Sequence, residues 1–390
     1  MNKKFVFVAA LLTYCISFYF AYDFFSNGAA SGKLSFMSKP GGTDKVPVMS
    51  PAADGEEQIA GKLTEECPLN GQMLTETHKK RWEARRPMGI MIENHLDARP
   101  QSGLTSADVI YEFVAEGGIT RFLTMFYCKD ARYVGPVRSA RMYFIEMVRA
   151  YGNNPLYVHV GGANHPGKAD ALGYLQKIKW AGYNDMNQFS VPFPIFARDY
   201  ERNPGVATEH TMYSSTQKLW KYAADKRKLT QEDEDGVKWD ENFKSWKFAD
   251  GKPSTTPTAP KISYDFWEGR GDYSVSWAYD AASNTYKRSQ NGKPHEDKNN
   301  KKQLYAFNVV VVSMVESPAN DGYAGGHLLY KTLGTGKAMV FQNGEAIEGT
   351  WKKPKEEDMI RFFDKKGDEI KLVRGLTWVS AIPEGNEVTY

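Results

Sequence analysis

The chain lacks a surplus of one charge: 50 Lys and Arg stand against 47 Asp and Glu, a net of +3. So even a balance excludes the basic footprint of a nucleic-acid binder, and no basic run interleaved with aromatics replaces it. There are only three cysteines, Cys15, Cys67 and Cys128, too few for a disulfide-dense scaffold. No HExxH pattern and no close Cys/His spacing is present, so the sequence points to no metal and no cofactor. Ser139 lies in VRSAR rather than in a G-x-S-x-G elbow. Around Gly334–Ala338 a phosphate loop fails twice, with Lys331 where its first glycine belongs and Ala338 where Ser or Thr belongs. Internal repeats are also missing.

What is present fills real cores: 41% of residues are hydrophobic and 13% aromatic, which excludes wholesale disorder. At 390 residues there is room for two or three domains. Lys3 and Lys4 precede an uncharged run, Phe5–Tyr22, closed by Asp23. As a helix that run is about 27 Å long, close to the ~30 Å hydrocarbon core. Positive charge ahead of it places the remainder outside the cytoplasm. The first expectation is therefore a single N-terminal membrane anchor over 1–25 with an extracytoplasmic body. The alternative is secretion after signal cleavage near Ala30, in SNGAAS.

Residues 26–62, rich in Gly, Ala, Ser and Pro, read as a flexible stalk. The fold class expected is α+β: a mixed α/β domain over 63–228, a linker or excursion over 229–261, and a mostly antiparallel β domain over 262–390. In the first domain Met88–Glu93, Val109–Val114, Ile119–Cys128 and Leu156–Val160 read as strands, and Ser139–Tyr151 and Ala169–Ile178 as helices. Ser214 and Gln217 have capping-box spacing ahead of a helix reaching Lys226. In the second part Asn343-Gly344 signals a hairpin, because both residues tolerate positive φ; Lys366-Gly367 is a second turn. Trp277, Tyr279, Tyr286, Trp351 and Trp378 fall on expected strands, as core residues or as platforms for sugars. Cys67 and Cys128 form one disulfide in an oxidising compartment, or remain separate thiols with Cys128 a buried hydrophobe.

The stretch from Arg85 to Tyr143 places Asn94, His95, Arg99, Glu112, Glu116, Arg121, Arg138 and Arg141 among apolar strands. Charges so placed must pair with one another or serve a ligand. With Ser139 as helix N-cap, Arg138 and Arg141 sit at the helix's positive end, a conflict that a bound anion or an internal partner such as Glu112 or Glu116 relieves. On one strand Glu112 and Glu116 share a face, roughly 13 Å apart at ~3.3 Å per residue. That is too far for a glycosidase pair unless Glu93 or another acid supplies the partner. The candidate ligand-binding set is Asn94, His95, Arg99, Gln101, Arg121, Arg138, Ser139, Arg141 and His210. The catalytic candidates are Glu112, Glu116, His95 and His159. Each has a structural reading beside the functional one, as an internal pair, a turn residue or a satisfied core histidine.

Several segments are similar to the YerB-like bacterial lipoproteins, which carry the domain of unknown function numbered 3048. They are RPMGIMIENHLDARPQSGL, ADVIYEFVAEGGITRF, GPVRSAR, YVHVGG, EHTMYSS, TYKRSQNGKPHED and GKAMVFQNGEAIEGTWKK. The resemblance spans roughly residues 67–385. It implies an extracytoplasmic protein with an N-terminal mixed domain, a C-terminal β domain and no established activity. The chain departs from the lipoprotein pattern at Cys15, where bulky Tyr14 precedes the cysteine and apolar sequence follows it, favouring a transmembrane anchor. The function expected is an envelope protein that binds an anionic or glycan ligand, or a partner protein, through an Arg/Glu-rich cleft. The alternatives are an envelope hydrolase or transferase using a carboxylate and a histidine, and a purely structural scaffold.

Overall fold

The computed structural model describes residues 61–390. The expected anchor and nearly all of the stalk lie outside the described residues. Among the described residues no helix is long and apolar enough to cross a membrane.

The architecture is α+β. Five strands come from the first half: β1 (Met88–Glu93), β2 (Val109–Glu116), β3 (Ile119–Phe126), β4 (Leu156–His159) and β5 (Asp185–Asn187). Three from the second half, β6 (Lys261–Tyr264), β7 (Val275–Asp280) and β8 (Thr285–Gln290), form the body of a smaller sheet. The remaining long strands are β9 (Asn308–Met314), β10 (Gly334–Gln342), β11 (Glu345–Lys353), β12 (Arg361–Asp364) and β13 (Thr377–Pro383). The central sheet has ten strands in the order β12-β11-β10-β9-β13-β2-β3-β1-β4-β5. Its middle joins the two halves of the chain: β13 lies parallel to β2, with Trp378 beside Ile110 and Ser380 beside Glu112. Strand β9 carries four consecutive valines, all buried, as expected of a strand covered on both faces.

Local chemistry explains the turns. Asn343 and Gly344 have φ of 58° and 82°, and Gln342 pairs with Glu345, so β10 and β11 are joined by a two-residue turn. Gly117 and Gly118, at 58° and 77°, do the same between Glu116 and Ile119.

The smaller sheet packs on one face of the central sheet. Trp277 meets Trp378 edge to face at 5.3 Å, and the Tyr264 hydroxyl lies 2.8 Å from Ser380 Oγ. Trp277, Tyr286, Trp351 and Trp378 are core residues and Tyr279 is partly buried. Helix α1 (Glu76–Trp82) precedes the sheet, and α2 (Met142–Val148) covers the opposite face through Phe113, Tyr143 and Phe144. Two further helices, α3 (Ala171–Lys177) and α4 (Thr216–Arg227), follow. The 229–261 stretch is packed: Trp239 and Trp246 are buried, and Phe248–Ala249 pairs with Leu372–Val373. Cys67 and Cys128 are joined in a disulfide.

Three local expectations need correction. Helix α2 begins at Met142, not near Ser139, and Arg141 in its N-cap position makes no side-chain cap. The backbone before it is already committed, with Arg138 N–H donating to Met91 O and Ala140 N–H to Gly161 O, which keeps 137–140 extended. Helix α4 is capped by Ser215, whose hydroxyl accepts from Lys218 N–H, one residue beyond the expected Ser214. Strand β2 has an irregular register between Val114 and Glu116, so Glu112 and Glu116 do not share a face.

Candidate functional site

That bulge divides the charged residues. Glu112 pairs across the sheet with Phe122, and Phe113 with Arg121, so Glu112 and Arg121 point to opposite faces. Glu116 lies with Arg121, not with Glu112. The charged stretch therefore forms two clusters separated by the sheet itself, rather than one cleft.

The first cluster is sealed between the two sheets. Glu112 is fully buried and accepts from Thr120 Oγ1 at 2.9 Å, Arg288 Nη2 at 3.0 Å and Trp378 Nε1 at 3.0 Å. Arg288 Nε donates to His295 Nδ1 at 3.1 Å, and His295 Nε2 faces Gln101 Oε1 at 2.7 Å. Gln101 in turn donates to Asn94 Oδ1 and to Glu93 O, and Asn94 donates to Thr120. Burial, with Arg288 and Arg99 beside it, drives the His295 imidazole well below its usual range. That keeps it neutral, accepting at Nδ1 and donating at Nε2. Arg99 closes the rim, donating to Asn94 O and Asp272 O, with burial pulling its guanidinium down to about 10. Arg288 Nη1 and Gln290 Nε2 have no hydrogen-bond partner. Asp297 reaches back from the same second-half segment to bind Gly103 N–H, Thr105 N–H and the Thr105 hydroxyl.

The second cluster lies on the helix-covered face. Arg141 Nε pairs with Glu116 Oε1, and Arg121 Nη2 lies 3.5 Å from Glu116 Oε2 while its Nη1 donates to Ser139 O at 3.1 Å. Burial pushes the Glu116 carboxyl up, but Arg121 and Arg141 outweigh it and hold the group below its ordinary range. Arg121 itself is lowered by burial and by Arg141. His159 is buried between Asp185 Oδ1 at 2.6 Å and Gly161 O at 2.7 Å. Glu112, Glu116 and His159 are thus each enclosed by partners within the fold.

What remains near solvent is a mouth at the carboxyl end of β1. Glu93, buried, accepts from Arg138 Nε at 3.1 Å through Oε1 and faces His210 Nδ1 at 2.9 Å through Oε2. The 3-10 turns Leu96–Ala98 and Thr208–His210 bring Asp97 and His210 together, and the His95 and His210 rings stack at 4.7 Å. Asp97 and Glu209 are more than half exposed, while Arg138 is a quarter exposed. Arg138 Nη2 sits 3.9 Å from Glu209 Oε1, beyond hydrogen-bond range but within ion-pair distance. Of the expected ligand-binding set, the structure brings His95, Arg138 and His210 to this mouth, places Asn94, Arg99 and Gln101 in the sealed cluster, and leaves Arg121, Ser139 and Arg141 with Glu116. A separate groove of about 800 Å³, floored by Val311, Ala338 and Ile382 and rimmed by Lys337, Glu348 and Lys365, contains none of the expected site residues.

Sequence reasoning missed Arg288, Gln290, His295 and Asp297. A signal existed: Tyr286, Arg288 and Gln290 alternate on β8, and each is buried. Asp97 carried no signal beyond its proximity to His95.

Comparison with known proteins agrees with this architecture. Residues 74–230 match the family model "Protein of unknown function (DUF3048) N-terminal domain", and residues 262–379 match its C-terminal counterpart. The chain is 30% identical over 336 residues to YerB of Bacillus subtilis (strain 168), named as a candidate lipoprotein; the match covers 85% of this chain and 89% of that protein. The crystal structure of the YerB protein from Bacillus subtilis superposes with a TM-score of 0.67 at 26% identity, covering 84% of this chain and 100% of that one.

Proposed function

The chain belongs to the DUF3048 family of proteins of unknown function, and from that premise we propose that it is a membrane-associated protein of the bacterial cell envelope that binds an anionic ligand at the mouth beside β1. The N-terminal apolar run supports an anchor with the body outside the cytoplasm, as does the lipoprotein name of its relative. The ligand class is a carboxylate or phosphate of an envelope glycan or peptide.

One observation carries this reading: Arg138 is held at Nε by buried Glu93, with Glu209 only 3.9 Å from Nη2, and is a quarter exposed at the mouth. A guanidinium so held pays little entropy on meeting a planar or tetrahedral anion. Arg121, Arg141 and Arg288 spend their charge on Glu116 and Glu112 instead. The hydrolase alternative has less support, because Glu112, Glu116 and His159 are enclosed by their own partners.

The test is retention of labelled peptidoglycan and teichoic-acid fractions by the detergent-solubilised full chain. Arg138→Ala should abolish retention; because it also takes one partner from buried Glu93, retention is compared at a temperature where circular dichroism shows the variant folded, and Arg141→Ala should cost stability first. Equal retention by wild type and Arg138→Ala would remove the reading. Chemical turnover of a fraction would replace it with the enzyme.

A further inference from the structure

We propose that His95, Asp97 and His210 form a binding site for a divalent transition-metal ion of the zinc class. Their ligand atoms all lie within 4.8 Å of one another. Asp97 Oδ2 is 3.7 Å from His95 Nδ1 and 3.9 Å from His210 Nε2. A tetrahedral zinc centre with bonds of about 2.0–2.1 Å sets its donors roughly 3.3–3.4 Å apart. Closing the site takes a contraction of about 0.5 Å on the Asp97 side and at most about 1.5 Å between the histidines. Asp97, 55% exposed, and His95, 33% exposed, have room to move.

The surroundings are those of a ligand set. Glu93 Oε2 lies 2.9 Å from His210 Nδ1, so the ring donates there and turns a lone pair at Nε2 toward Asp97. A carboxylate behind a histidine in this way fixes tautomer and orientation and raises ligand basicity. His95 Nδ1 accepts weakly from Asp97 N–H at 3.2 Å, which makes it the unprotonated nitrogen that a metal requires. The metal replaces that contact. The two imidazole planes are within 9° of parallel, and the in-plane lone pairs of stacked rings do not converge, so binding requires the one-third-exposed His95 ring to turn out of the stack. Three carboxylates, Glu93, Asp97 and Glu209, lie around the spot, Glu93 and Glu209 also pairing with Arg138. With three protein ligands the fourth position opens to solvent, where water or an anionic oxygen completes the shell. Two nitrogens and one carboxylate favour zinc, cobalt or nickel over the oxygen-preferring ions calcium, magnesium and manganese.

The site stands apart from the anion reading, because the probe is metal alone. Calorimetric titration of untagged, chelator-treated full-length protein with zinc chloride should show one ion per chain with micromolar or tighter affinity. His95→Gln, His210→Gln and Asp97→Asn should each weaken it at least tenfold. Glu93→Gln, a positioning change, should weaken it by about 10- to 100-fold. Asp97→Asn is conservative at an exposed position, so it keeps the test valid if a histidine variant fails to fold. Thermal melts supply the second readout, with zinc raising the wild-type midpoint and not that of Asp97→Asn. Absence of saturable binding below about 1 mM, or equal binding by wild type and Asp97→Asn, would overturn the proposal.

Discussion

Replacing Glu112 by alanine removes the acceptor that holds the two sheets together. Three donors converge on it from β3, β8 and β13, and both Glu112 and Arg288 are fully buried. A guanidinium stranded in the interior without its carboxylate costs about 3–5 kcal/mol. The Trp378 N–H left unpaired costs a further ~1–3 kcal/mol. Both groups relax into the same vacated space, so the costs overlap, and a total of about 4–5 kcal/mol is expected. Against a typical total stability of about 5–15 kcal/mol, that is a large fraction. In urea unfolding of residues 61–390, followed by tryptophan fluorescence and far-ultraviolet circular dichroism, the midpoint should fall by more than about 1 M. Arg288→Met should cost about 3 kcal/mol, because Glu112 keeps Thr120 and Trp378. The double replacement Glu112→Leu/Arg288→Met should be milder than either single change, since an apolar pair of similar volume avoids desolvating two ions. A loss under about 1 kcal/mol for Glu112→Ala would refute the reasoning. So would additive costs in the double variant.

The Cys67–Cys128 disulfide spans a sequence separation of 61, so Cys67→Ser/Cys128→Ser should lose about 4 kcal/mol by loop entropy in urea unfolding, and the wild type under reductant should approach the same midpoint. Glu116 has a folded-state pKa below its unfolded value, so its stabilisation is present above about pH 4.5 and lost as pH falls through the folded value. Glu116→Gln should therefore be about 2–3 kcal/mol less stable at pH 7, with a gap that closes below about pH 4; a gap constant with pH would count against the assignment. His295 is depressed well below 6.5, so the unfolded chain takes up its proton first, and stability should fall by up to ~1.4 kcal/mol per unit as pH drops below 6.5. His295→Gln should flatten that slope, whereas identical profiles between pH 6.5 and 5 would refute it.

The elements of the first half were legible because their signals are local. Met88–Glu93 is a strand with the expected bounds, and Asn343-Gly344 turns between strands in the expected register. The helix starts were less legible: nothing in VRSAR reports that Ala140 bonds to Gly161, or Arg138 to Met91, and those long-range bonds keep the chain extended past Ser139. The buried partners were hidden for the same reason. Glu112 meets Arg288 at a sequence distance of 176, and only the packing of β8, in the smaller sheet, against the central sheet makes the contact. The bulge after Val114 was also silent, because either register leaves an apolar strand, yet it decides the face on which Glu116 lies.

That one irregularity changes what the charges can do. In regular register, Glu116 would follow Glu112 toward the smaller sheet, leaving Arg121 and Arg141 to face each other without an acid. With the bulge, each buried arginine obtains a carboxylate on its own side: Arg288 has Glu112, and Arg121 and Arg141 share Glu116. Arg138 differs in exposure, because its acid, Glu93, ends a strand and meets Arg138 and His210 at the edge of the sheet. There the guanidinium, a quarter exposed, lies where the strand meets solvent, with exposed Glu209 at 3.9 Å from Nη2. The interior arginines and the mouth thus follow one rule: where the sheet seals a charge it is matched within the fold, and where the strand ends the matching is incomplete on the solvent side. The proposed anion beside Arg138 and the proposed cation between His210 and Asp97 would each complete it.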